Sequence, residues 1–137
     1  MNYMLLLMGE EPNWEEYSPE DAQANLDEMG KFNAELEAAG AMVTGGGLES
    51  RSTATVVRFD LNGDTTITDG PFIETKEQLM GFWIVECANL DEALAWTKKV
   101  PMKGASIEVR PLIGTGGEEV DGEELIRRGS GERQRSE

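Results

Sequence analysis

The chain has 137 residues, enough for one domain, and its 39% hydrophobic content can fill a core. With 27 acids against 12 bases the formal net charge is −15, a sign that repels phosphate backbones and anionic membranes and argues against both as partners. No histidine is present, which removes the Ser-His-Asp triad, the Cys-His dyad and imidazole metal sites.

The acidity belongs to the body of the protein, since residues 1–111 hold 20 acids and 8 bases, a net of −12. The single cysteine, Cys87, cannot form an intrachain disulfide and reads as a small buried hydrophobe at a strand end. The longest apolar run, residues 4–9, is far too short to span a bilayer, and no basic-headed leader precedes it. Cytoplasmic residence is the expectation.

Residues 3–8 are apolar without alternation, which predicts a central strand with both faces covered. A loop over 9–18 carries Trp14 and Tyr17, two aromatics expected to dock on the body rather than close over a cleft. Ser18-Pro19-Glu20-Asp21 starts a helix: a capping hydroxyl, a proline suited to the first turn, and acids beside the positive end. Ala22, Leu26, Met29, Phe32 and Leu36 form its apolar stripe. Gly30 is expected to mark close approach to a neighbour, and Gly40 to end the helix in a left-handed cap. A short strand over 41–44 leads into Gly45-Gly46-Gly47, read as a flexible or bulged connection. It lacks the following Gly-Lys-Ser/Thr and helix that the P-loop pattern needs.

Segments 52–61 and 64–68 flank Asn62-Gly63, a strong hairpin signal. The hairpin delivers the chain into Asp69-Gly70-Pro71-Phe72, a compact break followed by Glu74, Lys76 and Glu77. Residues 81–87 form a second strand apolar on both faces. Asn89 with Glu92 predicts a capping box for a second helix that Pro101 closes. In the last strand Ile107 and Val109 alternate with Glu108 and Arg110 before Pro111. The Gly-rich, charged tail, residues 114–137, leaves two readings open: a short helix over 121–128, or a flexible or loosely docked segment, which its composition favours.

Without the hairpin, the order is strand, helix, strand, strand, helix, strand, the split βαβ pattern of an α+β, ferredoxin-like domain. Two helices cover one face of such a sheet, whereas strands 3–8 and 81–87 are apolar on both. A second copy packed sheet to sheet meets that need, so a homodimer is expected.

Asp69-Gly70-Pro71-Phe72 with Ile73-Glu74-Thr75-Lys76-Glu77 resembles the signature of the DGPF group of the YCII-related domain family. Residues 3–8, Leu36-Glu-Ala-Ala-Gly40, Gly81-Phe-Trp-Ile-Val85 and Ser106-Ile-Glu-Val-Arg-Pro111 are similar as well. The likeness covers residues 1–113. It implies a ferredoxin-like fold with an inserted hairpin that pairs as a dimeric α/β barrel, with little assigned chemistry. Some proteins of that family carry a histidine in the first helix and an aspartate shortly before the proline that follows the second. Those positions fall here on Met29 and Val100, so that chemistry is not carried over.

The carboxylates are scattered, and no metal or organic cofactor is implied. The remaining constellation is Asp69, Glu74, Lys76, Glu108 and Arg110. On one reading Glu108 and Arg110 form an ion pair across the dimer, with Asp69 capping its turn. On the other they line an intersheet pocket with Phe72 and Trp83. There Arg110, helped by Lys76 and Glu74, would hold a small anionic or enol molecule while Asp69 or Glu108 moves a proton. The corresponding functions are a structural, accessory or small-ligand-binding dimer, or a cofactor-independent acid–base enzyme.

Overall fold

A computed structural model describes residues 1–70 and 77–131. In chain order the elements are β1 (Asn2–Gly9), α1 (Pro19–Ala38), β2 (Met42–Gly47), β3 (Thr55–Phe59), β4 (Thr65–Asp69), β5 (Gln78–Glu86), α2 (Leu90–Thr97), β6 (Ser106–Pro111) and α3 (Gly122–Gly129). Four strands form an antiparallel sheet in the order β2-β5-β1-β6, and β3 and β4 form a separate ribbon. The arrangement is a mixed α+β fold consistent with the ferredoxin-like pattern.

The local signals act as the sequence predicts. The Ser18 hydroxyl accepts the Asp21 amide at 3.1 Å, and Pro19 opens α1. Gly40, at φ +70°, lets its own amide reach the Glu37 carbonyl and the Ala41 amide reach Leu36, which satisfies the last carbonyls. Asn89 caps the Glu92 amide at 3.0 Å, and the Glu92 carboxylate returns to the Ala88 amide.

One face of the sheet holds the core. Tyr3, Leu5 and Leu7 of β1 and Trp83, Val85 and Cys87 around β5 are buried against Phe32 and Leu36 of α1 and Ala93 of α2. The Phe32 ring meets Trp83 edge-on at 5.6 Å, with Trp96 at 6.5 Å. Each fully buried side chain, such as Leu5, Leu36 or Val85, contributes about 1.5–3 kcal/mol. Met29 and Val100 pack against this cluster as apolar residues.

Several expectations change. The first turns of α1 bury no residue, leaving Leu26 67% exposed rather than on a buried stripe. Gly30 is open: a Cβ there would meet nothing within 4 Å, so no close neighbour explains it. Gly45-Gly46-Gly47 are part of β2, paired with Trp83, Phe82 and Gly81 after a register shift. A Cβ on Gly45 would sit 2.9 Å from the Phe82 carbonyl oxygen, which is the reason for glycine there. Trp14 and Tyr17 stay exposed, their rings in tilted contact with centroids 4.9 Å apart rather than docked on the core. The hairpin closes around a three-residue loop, where Asp60 accepts the Asn62 and Asp64 amides at 2.9 Å and Gly63 adopts φ +86°.

Candidate functional site at the open face of the sheet

Strand alternation dictates what the face away from α1 and α2 presents. Register places Met4 between Ile84 and Arg110, and Leu6 between Phe82 and Glu108. Met4, Leu6, Met8, Phe82 and Ile84 are only half-buried, forming an apolar strip on the side of the sheet away from α1 and α2. Glu108 and Arg110 flank it from β6, while Ile107 and Val109 turn to the core. The Arg110 guanidinium lies 4.0 Å from the Glu108 carboxylate, and both side chains are more than half exposed. A pair so loose and wet contributes at most about 1 kcal/mol, leaving the guanidinium donors open to other acceptors.

The other candidates are placed elsewhere. Asp69 ends β4 in the ribbon, where its carboxylate accepts the Thr55 hydroxyl at 2.9 Å. That ribbon is separate from the sheet that carries Glu108 and Arg110. Trp83 belongs to the opposite face of the sheet: it is buried, and its indole N–H donates to Asn33 Oδ1 at 2.8 Å. It therefore packs the core rather than facing the open side, because its neighbours Phe82 and Ile84 take the alternate positions. Phe72, Glu74 and Lys76 lie outside the described residues.

A cleft of about 340 Å³ opens at one end of the strip, lined by Asn2, Ile84, Glu86, Leu112 and Thr115 among others. Its wall comes from the start of the tail. The Leu112 amide donates to the Asn2 carbonyl at 2.9 Å, and Asn2 Nδ2 donates to Thr115 Oγ1 at 3.3 Å. Gly114, Gly116 and Gly117 all have positive φ, so the chain folds back tightly here. These glycines were visible in the sequence, but nothing local linked them to residue 2.

Beyond that turn, α3 docks by its charged side. The Arg128 guanidinium is nearly buried, bonded to the Glu118 carboxylate and to the Leu112 carbonyl at 2.9 Å. Hydrogen bonds from Arg128 and from the Gly114 amide hold the Glu118 carboxyl below the usual carboxylate range. Burial pushes the Cys87 thiol up, with Glu92 adding to the effect, so it is held as an unreactive thiol. Burial likewise raises Tyr3. No group of three or more potential metal ligands occurs among the described residues, and no helix among them is long and apolar enough to cross a membrane.

An antiparallel sheet with two helices on one face and an apolar strip on the other defines the class of domain. The chain belongs to the YCII-related domain family, whose profile matches residues 1–115. It is 34% identical over 116 residues to an uncharacterized protein of Rhizobium meliloti (strain 1021), covering 82% of this chain and 92% of that one.

Proposed function

We propose that this protein works as a cytoplasmic homodimer packed sheet against sheet into a dimeric α/β barrel, with a structural, accessory or small-ligand-binding role. Within its family, the Asp69-Gly70-Pro71-Phe72 signature supports placing it in the DGPF group. The observation that carries this reading is the strip of Met4, Leu6, Met8, Phe82 and Ile84 on the face away from α1 and α2. Apolar surface left in water forgoes about 25 cal/mol per Å², and a two-fold pairing covers the same strip on both copies at once.

In that assembly Glu108 and Arg110 lie between the sheets. There Arg110 either pairs with an acid of the second copy or holds a carboxylate or enolate in the space beside it. The open guanidinium, 72% exposed and only loosely held by Glu108, favours the anion. Acid–base catalysis on such a molecule is the second reading, with Glu108 on the open face, or Asp69 from the ribbon, as the proton carrier.

Sedimentation velocity of the full chain should give a dimer at micromolar concentration, and a monomer there would overturn the assembly. Arg110→Met then separates the two roles. Retained dimer with lost thermal stabilisation by small carboxylates supports the ligand site. A weakened dimer that still responds to them supports the ion pair.

A further inference from the structure

The ribbon of β3 and β4 has an apolar side that stays exposed among the described residues. Cross-strand pairing sets Val57 opposite Ile67 and Phe59 opposite Thr65, so Val57, Phe59 and Ile67 share one side. They are 46%, 72% and 67% exposed, and Leu61 at the tip is fully exposed. The two strands pack chiefly on each other. Such a ribbon is marginal in water, and its register is weakly held unless one side is buried.

Its root, by contrast, is firmly built. The Glu11 carboxylate accepts the Arg51 amide at 2.6 Å and the Ser50 hydroxyl at 3.2 Å. The Gly70 amide donates to the Ala54 carbonyl at 2.8 Å, and a Cβ on Gly70 would sit 2.8 Å from the Ser52 carbonyl oxygen. The described part of the base is thus hydrogen-bonded in place, while one side of the ribbon is apolar and exposed.

We infer that this ribbon is an arm that packs on a second copy of the chain and completes the sheet-to-sheet interface proposed above, on which the inference rests. Area selects that occupant. The arm follows β2 in the chain and precedes β5, two of the four strands whose open side forms the proposed interface. A stable interface takes about 800 Å² from each partner, of which roughly 450 Å² is apolar. Burying one aliphatic or phenyl side chain removes about 60–120 Å² of apolar surface. The five half-buried residues of the strip, showing at most about a third of their surface, thus supply on the order of 150 Å². Val57, Phe59, Leu61 and Ile67 add on the order of 250 Å², which brings the total close to the requirement. The strip alone falls well short of it.

The test is sedimentation equilibrium on full-length wild type, the double variant Phe59→Asp/Ile67→Asp, Phe59→Leu and Leu6→Glu, with far-UV circular dichroism on each. The double variant should keep the wild-type spectrum and raise the dimer dissociation constant by roughly 100-fold, while Phe59→Leu stays within about threefold. Leu6→Glu should also dissociate the dimer. A dimer broken by Leu6→Glu but unmoved by Phe59→Asp/Ile67→Asp overturns the arm and leaves the sheet-to-sheet reading standing. A wild type that is monomeric at micromolar concentration overturns both.

Discussion

Glycine has opposite meanings at two positions in this chain. Gly45 faces the Phe82 carbonyl at a distance no Cβ tolerates, so the edge strand can follow β5 only without a side chain there. Gly30 sits on an exposed helical surface with open space around it and an ordinary negative φ. Gly30→Ala should therefore stabilise the protein by about 0.5–1 kcal/mol through reduced unfolded-state freedom and better helix propensity. Urea denaturation monitored by circular dichroism measures this, and a destabilised variant would reveal a contact that the helix surface does not show. The glycine at position 30 was legible as costly, but the space around it depends on which face of α1 the packing buries.

At the scale of elements, α3 is held by polar contacts more than by its aliphatics. Leu125 and Ile126 point outward at 54% and 74% exposure, while Arg128 reaches in to Glu118 and Leu112. The folded Glu118 carboxyl titrates below its unfolded value of about 4.3. Its contribution is therefore complete above the unfolded value and is lost as pH falls through the lower folded one. Hydrogen exchange in residues 125–129 should show protection that holds down to about pH 5 and fades in stronger acid. Glu118→Gln should weaken that protection at neutral pH and flatten the acid transition. A variant that kept the wild-type profile would place the titrating group elsewhere. Sequence composition favoured a loose tail because the glycines and charges are local, whereas the salt bridge that docks the helix joins residues 118 and 128 to the carbonyl of residue 112.

For the whole molecule, charge and apolar surface pull in opposite directions. Two copies each carrying −15 repel, while the proposed interface is built from apolar side chains. Raising salt shrinks the Debye length from about 30 Å at 0.01 M to about 3 Å at 1 M and should tighten the dimer several-fold. Sedimentation equilibrium across that range measures it. A dimer that loosens with salt would instead rest on attractive pairs such as Glu108 with Arg110 across the interface. By itself the sequence determined the order of strands and helices, the caps at Ser18, Gly40 and Asn89, the hairpin, and which strands are apolar on both sides. Those signals act within a few residues, so they survive without a neighbour. Only the tertiary structure decided that Trp83 bonds Asn33 in the core, that the glycine run is an edge strand, that Asp69 is carried off on a ribbon, and that Thr115 closes against Asn2. Each of those outcomes depends on contacts between residues far apart in the chain, which strand pairing and helix packing create together.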